Sequence, residues 1–220
     1  VKIAAIRKLS LIDYPWKISS VIFTQGCNFR CGYCHNPHLV IPSLYSPEIS
    51  EEEAFSFLSS RVGKIEGVVI SGGEPAMHAG LDEFIKKIRA MNFLVKLDTN
   101  GSLPEIVKSL IDENLLDYIA MDIKAPWDKY PELCGPAADI TKIRETISII
   151  KSSGLPHQFR ATVVKGIHSL DDIRAMEEIA GEPIKLQNFK FTKDHISTEL
   201  TRENEFSPEE FDALSKKIEV

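Results

Sequence analysis

Short apolar, β-branched runs return along this chain at intervals of roughly 25 residues, and that rhythm limits the available folds more than any other feature. They occupy 19–25, 67–71, 93–98, 117–123, 157–164 and 184–189, and each predicts a buried strand. Amphipathic stretches alternate with them, beginning at Ser50, Leu81 and Thr141; these predict helices. Ser50 with Glu53 predicts a capping box, Gly154 a residue just past a helix end, and Ser207-Pro208 a capped start for a last helix. Strands alternating with helices predict βαβ units, right-handed crossovers and a mostly parallel sheet in one α/β domain spanning 1–220. Six units fit either an incomplete (β/α) barrel or a doubly wound sheet, and periodicity does not choose between them.

Composition narrows the classes further. With 43% hydrophobic and 26% charged residues over 220 positions, the composition argues against disorder, collagen and coiled coil. A formal net charge of −6 argues against a nucleic-acid partner. No apolar run approaches the ~18 to 20 residues that span a bilayer, and the first residues lack the apolar core of a secretory signal, so a cytoplasmic protein with no membrane partner is expected.

The chemically distinctive residues fall at or just beyond the C-terminal ends of the expected strands, where parallel sheets bind ligands. They are GCNFRCGYCHN from Gly26, GGEP from Gly72, DTNG from Asp98, MDIKAP from Met121, then Arg160 and Gln187. Cys27, Cys31 and Cys34 are three of only four cysteines, and their C-x3-C-x2-C spacing lets three thiols reach one metal centre. A structural zinc would need a fourth ligand, which Cys134 or His35 would have to supply. A 4Fe-4S cluster with one iron left open needs only three thiolates. Cys134 is expected to be unligated, in the loop YPELCGPAAD.

The segment CNFRCGYC resembles the signature of the radical S-adenosylmethionine (SAM) superfamily, including the aromatic Tyr33 before the third cysteine, and SGGEP at 71–75 resembles its Gly-Gly-Glu-Pro segment. Within that superfamily, IDYP at 12–15, FTQGCNFRCGYCHNP at 23–37, LDTNG at 97–101 and the Asp-x-Lys of MDIKAP resemble the activating enzymes of glycyl radical enzymes. The short anaerobic ribonucleoside-triphosphate reductase activating proteins are the nearest group. One departure is Trp16, where a glycine is expected. The resemblance implies a single-domain partial (β/α)6 barrel whose Cys27, Cys31 and Cys34 hold a 4Fe-4S cluster, with SAM chelating the open iron. One electron, from a flavodoxin- or ferredoxin-type donor, then cleaves a carbon–sulfur bond of SAM, and the 5′-deoxyadenosyl radical takes the α-hydrogen of a glycine in a partner glycyl radical enzyme.

Other residues admit a functional and a plainer reading. Gly72 and Gly73 allow close backbone approach to the cofactor's ammonium group, with Glu74 assisting, or make an ordinary strand-to-helix turn. Asp98 and Asn100 suit ribose hydroxyls or a cation, or an Asx turn. Asp122 and Lys124 share one face of a strand; the resemblance implies catalytic roles, with Lys124 near the cofactor carboxylate, and the alternative is a structural ion pair. Arg160 suits a carboxylate and Gln187 an adenine edge, although Gln187 also reads as a polar strand end. His35 and Asn36 are expected to support the site from behind. The competing functions are a radical enzyme acting on a small molecule, like the 7-carboxy-7-deazaguanine synthases, and a zinc-stabilised interaction module without catalysis.

Overall fold

The computed structural model describes residues 1–192 and 194–218, so the last two residues of the expected 1–220 domain lie outside the described residues. All six expected strands form: β2 (Ser19–Thr24), β3 (Gly67–Gly72), β4 (Leu94–Thr99), β5 (Tyr118–Asp122), β6 (His157–Val163) and β7 (Lys185–Asn188). A seventh, β1 (Ile3–Ser10), precedes them and pairs antiparallel with β2. Its apolar residues Ile3 and Ile6 break the period of two because the register shifts between Ile3 and Ala5, and Arg7 and Lys8 interrupt the run. That is why sequence pattern alone missed it.

Helices α1 (Glu51–Ser59), α2 (Leu81–Ala90), α3 (Pro104–Asp112), α4 (Tyr130–Cys134), α5 (Ile140–Ser152), α6 (Leu170–Ala180) and α7 (Pro208–Lys216) complete the chain. Ser50 caps α1 by accepting from the Glu53 amide, which is one half of the expected box. The reciprocal pair of bonds forms at Ser169 with Asp172 and at Ser207 with Glu210. Gly154 follows α5 with φ +71°, as its position past the helix end requires.

Strand order decides between the two candidate architectures. The sheet runs β1-β2-β3-β4-β5-β6-β7, with every neighbour after β2 parallel. A doubly wound sheet reverses direction at a switch point; this one never does, so crossovers of one hand set the helices on a single face. The result is an open partial (β/α) barrel, in which β1 and β7 do not pair among the described residues.

Alternation along each strand then divides the side chains. Ile22, Val68, Ile70, Val95, Leu97, Ile119, Met121, Phe159 and Ala161 point toward the helices and form the main core. The opposite, concave face is apolar only at its lower end, where Tyr14 packs with Val21 and Val69 and its ring lies 5.9 Å from that of Tyr118. Above this plug the same face carries Lys96 and Arg160 at mid-strand and Asp98 and Asp122 near the C-terminal ends of β4 and β5.

Candidate active site

The cysteine loop leaves β2 as irregular chain, and its shape is imposed by neighbouring backbone. Gly26 donates its amide to the Leu39 carbonyl at 2.7 Å, Arg30 to Cys134 at 2.8 Å, and Cys34 to Cys31 at 2.9 Å. The end of β3 clasps the loop from the other side: Gly73 donates to Thr24 at 3.0 Å and Glu74 to Gly26 at 2.8 Å. A Cβ on Gly73 would fall 1.9 Å from the Gly26 carbonyl oxygen, and one on Gly72, at φ +122°, 2.3 Å from the Thr24 nitrogen. The expected close approach at these two glycines is therefore made by the chain to itself. Both also line the cavity above the barrel.

Cys27, Cys31 and Cys34 all border that cavity, whose volume is about 390 Å³, at the small end of the ~300 to 1,000 Å³ typical of ligand sites. Burial pushes the Cys27 thiol up to about 12 and raises Cys34, whereas a hydrogen bond from Cys134 brings Cys31 down to about 7. Metal binding must displace these protons. Among the described residues, no three His, Cys, Asp or Glu side chains gather round a single ion position. A lone zinc needs four donors at one point, while a 4Fe-4S cluster presents its irons at separate corners and takes thiolates that stand apart. The donor set fits the cluster. Cys134 is the fourth thiol: it is fully buried at the end of α4, a short helix where a loop was expected, and it packs behind Cys31.

Opposite the thiols stands a charged group built from three strands. Asp122 accepts from Lys124 Nζ at 2.9 Å and from Arg160 Nε at 2.8 Å; Arg160 Nη1 reaches Asp98 at 3.4 Å, and Lys96 Nζ also bonds Asp98. Burial opposes the charge on Asp122, but Arg160 and Lys124 outweigh it and hold the carboxyl well below the usual range. Burial likewise opposes Lys124 and Arg160, and Asp122 raises both. Lys96, in contrast, is pulled down, because burial dominates there. Of these cations Lys124 and Arg160 border the cavity, paired with Asp122 and Asp98, whereas Lys96 lies beneath them on Asp98.

Lys124 is held by its main chain as well. Its amide donates to Tyr130 Oη at 2.9 Å, and its carbonyl accepts from Tyr33 Oη at 3.3 Å and from His168 Nε2 at 3.1 Å. Because His168 Nδ1 accepts from the Val164 amide, the ring must carry its proton on Nε2. Tyr33, expected at the cofactor, thus both borders the cavity and braces Lys124. Pattern reading missed Tyr130 and His168; each lies in a connection where only its side-chain bond reveals a role.

Glu74 stands behind the wall. It is fully buried and accepts from the Ala76 amide at 3.1 Å, the Thr99 hydroxyl at 2.8 Å and the Asn100 amide at 2.6 Å, tying β3 to β4. Asp98 and Asn100 line the cavity, Asp98 from within β4 and not from the loop. Asn100 makes the Asx turn to Ser102 at 2.9 Å and with its amide nitrogen holds Asn28, next to Cys27, at 3.0 Å. His35, Asn36 and Gln187 also border the cavity, as do Asp13, from the IDYP segment, and Arg7, which was not singled out from sequence. One space therefore brings the three thiols together with Tyr33, Gly72, Gly73, Asp98, Asn100, Asp122, Lys124, Arg160 and Gln187, and leaves Glu74 outside it.

Residues 21–179 match the family model described as the radical SAM superfamily. A protein of Methanocaldococcus jannaschii, described as a candidate glycyl-radical enzyme activating enzyme, is 36% identical over 81% of this chain and 73% of its own length. The pyruvate formate-lyase-activating enzyme of Staphylococcus epidermidis is 27% identical over 87% of this chain and 80% of its own. Among solved structures, Streptococcus suis SuiB bound to S-adenosylmethionine superposes with a TM-score of 0.71 at 15% identity, over 90% of this chain and 46% of SuiB.

Proposed function

The chain belongs to the radical SAM superfamily, an enzyme family that uses a 4Fe-4S cluster and SAM, and on that premise we propose that it activates a glycyl radical enzyme, with anaerobic ribonucleotide reductase as the partner. The observation that carries this reading is the meeting of three thiols and the Asp98, Asp122, Lys124 and Arg160 group across one small cavity, supported by the likeness to activating enzymes.

Cys27, Cys31 and Cys34 would hold the cluster. When bound, the cluster and SAM supply a 5′-deoxyadenosyl radical by one-electron cleavage of a carbon–sulfur bond. The chain's own residues position and shield. Lys124, charged and fixed at both main-chain atoms, would offer its ammonium to the cofactor carboxylate. Asp98 and Asn100, on the same cavity wall, would serve the ribose hydroxyls, and the main chain at Gly72 and Gly73 would meet the cofactor's ammonium group. Gln187, which also borders the cavity, would serve the adenine edge. A flavodoxin- or ferredoxin-type protein delivers the electron.

The test is anaerobic reconstitution followed by mixing with the reductase, SAM and a strong reductant. A glycyl signal by electron paramagnetic resonance on the reductase is expected. Cys27→Ala, Cys31→Ala and Cys34→Ala each should lose the iron, whereas Lys124→Ala should keep it and form 5′-deoxyadenosine about tenfold to a hundredfold more slowly, as the loss of a charged hydrogen bond of about 1.5 to 3 kcal/mol implies. Ready cofactor cleavage with no glycyl signal, and conversion of a purine-like or pterin-like molecule instead, would overturn the reading.

A further inference from the structure

Eight large apolar side chains are exposed among the described residues, and five of them, Leu9, Leu11, Ile12, Trp16 and Ile18, belong to the end of β1 and its connection to β2. Ile12 is 82% and Trp16 93% exposed. Trp16 sits at φ +57°, a left-handed backbone that turns a bulky residue outward at a cost in strain. A cluster of this kind marks an interaction surface.

It adjoins a second unsatisfied feature. One side of β1 pairs with β2, and the other meets only a single bridge, Ile3 to Ile49, so the rest of that edge has no partner strand among the described residues. A free edge offers main-chain donors and acceptors to an added strand. Lys8, exposed on this edge, takes part in no ion pair among the described residues. The same segment is continuous with the site, since Arg7 and Asp13, joined at 3.0 Å, line the cavity that the cysteines border.

From this juxtaposition we infer that the β1 edge and the apolar residues after it dock the protein substrate as an extended segment, adding a strand to the sheet, burying apolar side chains on Leu11, Ile12 and Trp16, and setting a carboxylate opposite Lys8. The inference rests on the activase reading and names the surface by which that substrate is held. A second copy is the poorer occupant: β1 carries two cations and no acid, so pairing it with itself sets like charges together.

The experiment uses the reconstituted protein with purified anaerobic ribonucleotide reductase. The combined substitutions Leu11→Asp, Ile12→Asp and Trp16→Gly, at residues outside the cavity wall, should raise the KM for the reductase about tenfold or more. They should leave kcat, iron content and reductase-free cofactor cleavage as in the parent, and hydrogen exchange at 4–9 should slow when the reductase binds the parent only. A strong glycyl signal with an unchanged KM overturns the docking surface and leaves the activase reading standing. Sedimentation showing a dimer that these substitutions dissolve also overturns it, by giving the surface to a second copy. Absence of any glycyl signal in the parent overturns the activase reading, and the docking inference with it.

Discussion

Trp16 shows what a single residue does when it replaces the one the backbone prefers. Its φ of +57° lies where glycine is free of strain, and its side chain packs against almost nothing. Trp16→Gly should therefore raise stability by about 1 kcal/mol, read as a higher melting temperature, even as it weakens docking; a lower melting temperature would show that the indole supports the fold. Glu74 illustrates the opposite case, a polar residue with no freedom. Burial pushes its carboxyl up to about 7 from 4.5 in spite of three donors. An acid with a raised pKa holds its proton more tightly in the folded state, so its contribution is complete below about pH 4.5 and is lost as the pH rises through about 7. Chemical denaturation should accordingly show a fall of the order of 3 kcal/mol across that window, and Glu74→Gln should flatten it. The same variant places an amide N–H against donors and should lower stability by about 1 to 3 kcal/mol at acidic pH.

At the scale of elements, the turn after β3 and the loop after β2 act as one unit. Gly73 leaves no room for a methyl group against the Gly26 carbonyl, and that contact sets the first ligand loop relative to the sheet. Gly73→Ala should part the two segments and reduce the iron bound after reconstitution to well under half the parent value, while the helices, remote from the clash, preserve the far-ultraviolet circular dichroism. Cys134→Ala should behave differently and keep its iron, because α4 reaches Cys31 from behind and its thiol can be lost without moving the loop that the Leu39 and Gly73 contacts hold. The sequence made the thiol trio, the Asp122–Lys124 pair and six strands legible, since each depends on local spacing or periodicity. It did not make β1 legible, where a register shift breaks the alternation. Nor did it reveal Tyr130 or His168, whose partner Lys124 lies six and 44 residues away and is known only once the connections pack together; Lys96, two residues before Asp98 on one strand face, was legible by spacing and was passed over.

Seen as a whole molecule, the site is a wall and a floor without a second wall. Tyr14 and its neighbours close the bottom of the barrel, and β1 and β7 remain apart among the described residues. Reactive intermediates survive only where water is kept out, and on the activase reading the docked partner completes the enclosure. 5′-Deoxyadenosine should then form slowly with reductant alone and several times faster when the reductase is added, and equal rates would show that the chain seals its own cavity. The uninterrupted strand order has a consequence for how this molecule comes into being. Each strand bonds only to those next to it in the chain, so the sheet can grow by one unit at a time as synthesis proceeds, without waiting for distant segments to find one another. The thiol-bearing loop emerges early, after β2, while Asp98, Asp122 and Arg160 arrive with β4, β5 and β6. A nascent chain thus displays its sulfur atoms well before the charged face that will oppose them, and the time between those two events is the period in which stray metals and oxidants meet them unguarded.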